Sequence, residues 1–264
     1  MRTGVLTALC LGFGLALASC DKKPEVPKGT SEAEVFAMHE VAGNEQVKNV
    51  AVVLDLAAKE KTRTADDLIK PVPLLSVTDI VVNEEKDDHS GNARVMLLES
   101  ALATSREEKL FKPGEAYRNF KSLKVVRPPN GFHILSSGEV LGRSARFLSE
   151  APGEKADLEY FEGYRAMLEE FVAMKYLILL RTIAIKAPKE VKPGTFTPGV
   201  YGGQLMVFDL HKRELLGVLP VMTSNDEGEA FGGVGFDLGQ QVETRVRETL
   251  AKAQGKAPQA EPTP

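Results

Sequence analysis

Four histidines, His39, His89, His133 and His211, are the side chains of this 264-residue chain best suited to proton transfer or metal ligation near neutral pH. His89 follows Asp87 and Asp88, so one loop offers two carboxylates and an imidazole. No second histidine stands at ligand spacing, and three adjacent residues rarely converge on one ion unaided. A solvated acidic loop is the expectation there, with no metal and no cofactor. The serines Ser136, Ser137 and Ser144 lie outside any nucleophile-elbow pattern. A Ser/His/Asp set assembled through space stays open, because such triads are defined by geometry and not by spacing. Glu159, Glu162 and Glu169 sit on a helical stretch whose other face carries Tyr160, Tyr164, Met167, Leu168 and Phe171. That distribution describes a packing stripe with a wetted back, not a pair of catalytic carboxylates. No catalytic residue is assigned.

Two further stretches bear on binding. Phe231-Gly-Gly-Val-Gly-Phe-Asp-Leu-Gly239 precedes a helical pattern, where free backbone amides could cradle an anion. Its spacing from Gly233 through Gly235 to Gly239 is one residue too long for the dinucleotide fingerprint, and no acidic partner follows at the required distance. A connection into the last helix is the simpler reading. Between Lys189 and Tyr201, Pro193, Gly194, Pro198 and Gly199 flank Phe196 and Tyr201. Aromatics held out on a Pro/Gly loop are typical anchors of recognition surfaces, which makes Phe196 and Tyr201 the candidate partner-binding residues. The alternative is that both fold back and lid the sheet edge.

The two cysteines, Cys10 and Cys20, both lie in the first twenty residues, so the remainder has no disulfide, thiolate nucleophile or sulfur ligand. Met1-Arg2, an apolar run from Val5 to Ala18 and small residues before Cys20 have the form of a signal peptide. The run is too short for an ordinary spanning helix. Leu17-Ala18-Ser19-Cys20 resembles the lipobox of bacterial lipoproteins. The resemblance implies cleavage before Cys20, acylation of that cysteine, and anchoring of the chain to a bilayer. Two or more acyl chains suffice for stable anchoring without a basic patch. Asp21 resembles an inner-membrane retention signal, a rule that does not transfer between bacterial groups, so the inner and outer membranes both stay open. The likeness covers residues 1–20 and says nothing of the fold.

Charge agrees with a protein that avoids nucleic acid. The chain has 33 Lys+Arg against 37 Asp+Glu; Arg2 is the one charged residue of 1–19, so cleavage leaves 32 against 37, a formal −5.

The elements that must position these residues follow from periodicity. Residues 20–30 form a proline-bearing tether. Ser31 and Glu34 are spaced as a capping box for a helix stopping near Gly43. Val50–Leu56 is either a strand, favoured by its β-branched start, or the apolar part of a helix ending near Lys61, as the alanines after it suggest; Thr64–Ile69 reads as a helical turn and Leu74–Val82 as a strand. Ala93–Leu98 returns to the core, and Arg127-Pro-Pro-Asn-Gly131 marks a hairpin. Pro152–Gly153 is the one internal break. A helix is expected over 154–174, then a central strand over Tyr176–Ile185, and a hairpin of Val200–Leu210 with Leu215–Thr223 turning at His211–Glu214. Asp237 is the expected N-cap of a final helix stopped by Gly255, before a disordered tail over 256–264.

The expectation is therefore an α+β or α/β fold with a twisted, mixed or largely antiparallel sheet packed by two or more helices. Its parts are a signal peptide (1–19), a tether (20–30), a first α/β segment (31–151), a second segment (152–255) packed with it, and the tail. The function expected is that of a Gram-negative envelope lipoprotein with a non-catalytic binding, assembly or accessory role. Its partners would be the bilayer, through Cys20, and an envelope protein. An envelope hydrolase and a lipid or solute carrier are the alternatives; a nucleophile beside a histidine would mark the first and a deep apolar cavity the second.

Overall fold

A computed structural model describes residues 32–82, 91–99, 101, 168–192, 195–225 and 234–256. The elements are α1 (Glu32–Lys59), α2 (Ala65–Leu68), β1 (Ala93–Leu97), β2 (Tyr176–Lys186), β3 (Lys189–Lys192), β4 (Thr195–Thr197), β5 (Val200–Asp209), β6 (Glu214–Ser224) and α3 (Val234–Ala253). Four strands form one sheet in the order β1-β2-β5-β6, and β3 and β4 form a separate two-stranded ladder. β1 runs parallel to β2, whereas β2–β5 and β5–β6 are antiparallel. This is the expected mixed α+β sheet, and strands from both sides of Pro152–Gly153 share it.

Strand alternation divides the core into two layers. Leu177 and Leu179 of β2, Met206 and Phe208 of β5, and Met96 of β1 point to one face. There they meet Val50, Val53, Leu54 and Ala57 of α1, together with Leu168 and Phe171 from the helical residues 168–173. Tyr176, Ile178 and Leu180 of β2, with Leu205 and Val207 of β5, point to the other face. Leu238, Val242, Val246 and Leu250 cover it, the single apolar stripe of α3. The Tyr176–Ile185 stretch is thus a central strand apolar on both sides, because both sides carry helices.

α1 departs from the sequence expectation. It does not stop near Gly43, and Val50–Leu56 takes its helical alternative instead of the favoured strand: one helix of 28 residues, about 42 Å long, spans both. Its buried positions are His39, Gly43, Gln46, Asn49, Val50, Val53, Leu54 and Ala57, a continuous stripe at helical spacing. Three of its members are polar, which hid the period. Each polar member has a task. Gln46 Nε2 donates to the carbonyls of Phe171 (3.0 Å) and Met174 (2.6 Å), closing the end of the 168–173 helix. Asn49 donates to Gln46 Oε1 and accepts from Arg213 Nε of the β5–β6 turn at 2.8 Å. His39 Nε2 lies 4.0 Å from Glu169 Oε1.

Leu74–Val82 also differs. Pro71 and Pro73 lead into a segment with no ladder beyond an isolated bridge of Val82 to Ala93. Side chains and single bonds hold it instead. Asn92 accepts from Val81 N (2.9 Å) and donates to the Asp79 carbonyl (2.8 Å), while Leu75 N donates to the Ala253 carbonyl.

The turns follow the sequence closely. Thr64 caps α2 through a capping box with Asp67. Gly255, at φ +69°, ends α3. Residues 211–213 turn between β5 and β6, with Arg213 at φ 55° and Asp209 Oδ1 accepting from Lys212 N at 2.9 Å. α3 begins at Val234, about one turn before the expected cap, so Asp237 lies inside it near the positive end of the helix dipole. The hairpin at 127–131 and most of the 154–174 helix lie outside the described residues, as do the capping-box Ser31 and the tail.

Gly199 is required by close approach. A Cβ there would stand 2.6 Å from Pro188 Cδ, 2.9 Å from Pro188 N and 2.9 Å from Leu238 Cδ2. Its N–H also donates to Asn225 Oδ1 at 2.6 Å. Gly199→Ala is expected to cost about 1–3 kcal/mol, read as a lowered urea midpoint at unchanged slope.

Candidate functional site

The densest buried polar group gathers where β1 ends, β2 bulges and α1 terminates. Arg181 follows Leu177 and Leu179 on the α1 face of β2, and only 5% of it is exposed. A helix end leaves its last carbonyls without intrahelical partners and carries partial negative charge. Arg181 supplies both needs: Nη1 donates to the Glu60 carbonyl (2.9 Å) and to Thr62 Oγ1 (3.2 Å), and Nη2 donates to the Ala57 carbonyl. Gln204, its partner across the strands, holds the chain as it leaves the helix. Gln204 Oε1 accepts from Arg63 N at 2.8 Å, and Nε2 donates to the Lys61 carbonyl at 3.2 Å. The Arg63 guanidinium then reaches the Val218 carbonyl of the outer strand β6.

Glu99 approaches the same place from β1. The parallel ladder ends at Leu97 opposite Leu180; two residues on, Glu99 Oε1 accepts from Thr182 N at 3.2 Å. The β2–β5 register shifts between Thr182 and Ala184, opposite Gly203 and Gly202, where paired glycines foreshadow a bulge. Thr182 Oγ1 lies 3.2 Å from the Tyr201 hydroxyl. Burial pushes the Glu99 carboxyl up to about 6, against the smaller pull of the Thr182 amide and the Arg181 charge. Burial also pushes the Tyr201 phenol up, with the nearby Glu99 charge adding to it. The Arg181 guanidinium is drawn down by burial, opposed by Glu99 and Glu60. Glu99 Oε2 and Arg181 Nε are both buried and without a hydrogen-bond partner among the described residues. The result is a carboxyl poised to exchange its proton near neutrality, beside a fixed cation, at the carboxyl end of a parallel strand pair. That end is where open sheets tend to place functional groups.

A second polar group ties the opposite end of β2. Lys175 Nζ donates to Asp79 Oδ2 and the Tyr176 hydroxyl to Asp79 Oδ1, each at 2.6 Å; the ammonium lies 4.8 Å from the centre of the Tyr176 ring. Hydrogen bonds from Lys175 and Tyr176 hold Asp79 below the usual carboxylate range, and Asp79 in turn holds Lys175 above its own. Burial, then Asp79, raises the Tyr176 phenol. A lysine held protonated is no nucleophile, so this group is a brace.

The exposure expected of Phe196 and Tyr201 is corrected. Phe196, in β4, is 6% exposed and Tyr201, in β5, is fully buried. Tyr201 lies within the sheet instead of leading into it: its hydroxyl meets Thr182, and its ring edge occupies the space a Cβ on Gly203 would need. The Pro/Gly stretch folds its aromatics inward, as the alternative reading had it. His211 is exposed in the β5–β6 turn, and Gly235 and Gly239 belong to α3. Cys20, His89, His133, Ser136, Ser137, Ser144, Glu159 and Glu162 lie outside the described residues.

Sequence reasoning missed Glu99 and Arg181 as a pair. Arg181 had a signal: a lone arginine in step with Leu177 and Leu179 must find buried partners. Glu99 had only its position after an apolar strand. Among the described residues no three metal-ligating side chains gather, and no described helix is long and apolar enough to cross a membrane. No protein-family model, curated protein or solved structure matches the chain.

Proposed function

We propose that the protein is a membrane-anchored lipoprotein of the bacterial cell envelope, Gram-negative in type, whose folded part serves a non-catalytic binding, assembly or accessory role. One observation carries the reading: Leu17-Ala-Ser-Cys20 closes a short apolar segment that begins just after Arg2. Acylated Cys20 would hold the chain to the bilayer, inner or outer, with the folded part in the periplasm. Eleven residues, Asp21 to Ser31, separate that cysteine in sequence from the body beginning at Glu32, which would meet an envelope protein partner. The buried polar ties of α1 support a rigid accessory body, because they fix the helix nearest the tether to the sheet.

The test is palmitate labelling and fractionation of the full-length chain, with in-cell crosslinking from the same fractions. Labelled protein in the membrane fraction is expected, with label and membrane association lost in Cys20→Ala. Unlabelled, unanchored wild-type protein would refute the lipoprotein reading. A crosslinked envelope protein that disappears with Cys20→Ala supports the assembly role; a wild-type membrane protein that crosslinks to nothing counts against it.

A further inference from the structure

We propose that Glu99 is a proton-operated latch, whose ionised and neutral forms hold the joint between β1, the β2 bulge and the end of α1 with different strength. The geometry makes the joint sensitive to that one charge. Glu99 Oε1 accepts from Thr182 N at the point where the β2–β5 register shifts. The adjacent Arg181 grips the Ala57 and Glu60 carbonyls at the end of α1. Two consecutive residues of β2 therefore couple the Glu99 carboxyl to both the bulge and the helix end. Glu99 Oε2 is buried with no hydrogen-bond partner among the described residues, so the ionised form leaves half of its carboxylate unsolvated. A neutral acid keeps the Thr182 bond and removes that cost.

Among the described residues the groups around it are few. From β2, Arg181 favours the ionised form, and from the end of α1 Glu60 acts on Arg181. From β5, the Tyr201 phenol stays protonated because burial raises it. Arg181 is the one charge acting on Glu99 among the described residues, and burial outweighs it.

The sign follows from linkage. An unfolded or opened Glu99 ionises near 4.5, the closed one at about 6. Between those values the closed state holds more protons, so the joint weakens as pH rises through the interval and stays weaker above it. If opening exposes Glu99 fully, the opening constant rises by up to about 30-fold from well below pH 4.5 to well above pH 6.

Native-state hydrogen exchange on the full-length chain reads this directly, with intrinsic rates corrected for pH. Opening at Thr182 and at the last turn of α1 is expected to rise about 15-fold between pH 4.5 and 7. Amides of α3 should change little, and Glu99→Gln should remove the rise. An equal change in α3, no change at the joint, or the same rise in Glu99→Gln would overturn the latch. Carbon-13 NMR titration of the Glu99 carboxyl in the unsubstituted protein decides the matter if the variant does not fold. A midpoint near 6 supports the latch, and one near 4.5 ends it.

Discussion

Arg181→Met is expected to destabilise the fold by on the order of 3–5 kcal/mol, the range for removing one partner from a buried charged network. Methionine fills much of the space of the arginine stem, so the loss does not come mainly from a cavity. It comes from the groups left behind. The Ala57 and Glu60 carbonyls lose their donor at the end of α1, and the solvent-exposed Thr62 loses its bond from the same guanidinium. Each orphaned buried acceptor costs about 1–3 kcal/mol. Glu99 also loses its cation, which makes the ionised form still less favourable. The penalty should accordingly be larger at pH 7.5 than at pH 5, where a protonated Glu99 has no need of a counter-charge. Arg181→Lys should recover only part, because a single ammonium cannot reach two helix carbonyls in the way a planar fork does. Urea unfolding at the two pH values separates these contributions. A loss below about 1 kcal/mol at both would mean that the guanidinium is not what closes α1.

The arginine also shows where sequence reading succeeds and where it stops. Tyr176–Ile185, Val200–Leu210 and Leu215–Thr223 were legible because largely apolar runs with β-branched residues leave little choice besides a buried sheet. The turn at 211–213, the helical turn after Thr64 and the stop at Gly255 were legible because local backbone chemistry decides them. α1 was not, since His39, Gln46 and Asn49 occupy its buried stripe. Their partners are the carbonyls of Phe171 and Met174, the Arg213 side chain and Glu169, all more than a hundred residues away in sequence. A polar residue whose partner is that remote looks, locally, like a residue facing water.

Leu74–Val82 misleads in the opposite sense. Its β-branched residues promise a strand, yet what holds it is Asn92, the Ala253 carbonyl and the Asp79 bonds to Lys175 and Tyr176. The candidate site inherits both difficulties. Glu99 and Arg181 are 82 residues apart in numbering and meet where the parallel β1–β2 ladder ends, a pairing that no local period reveals. Parallel ladders join distant segments, so their ends collect groups that sequence proximity cannot associate.

Parallel pairing of β1 with β2 also creates the second large dependence. Arg94 of β1 points to the α1 face with Met96, and its Nε donates to Glu170 Oε1 at 2.9 Å, with Nη2 on the same oxygen. Their side chains are 12% and 7% exposed, so the pair is largely out of water. Glu170 lies between Glu169, which faces His39, and Phe171, which packs in the core. Its bond to Arg94 therefore fixes the 168–173 helix against the sheet edge. Arg94→Met should cost on the order of 3–5 kcal/mol, because it takes the guanidinium from a carboxylate at a buried position. The double variant Arg94→Met, Glu170→Gln should lose less than the sum of the singles, with a coupling of about 0.5–3 kcal/mol. Strict additivity of the two would show that the pair is no unit. Recovery in the double variant would instead mean that the uncompensated charge, and not the missing contact, is what unfolds the single one, as desolvation requires when a buried carboxylate loses a guanidinium partner.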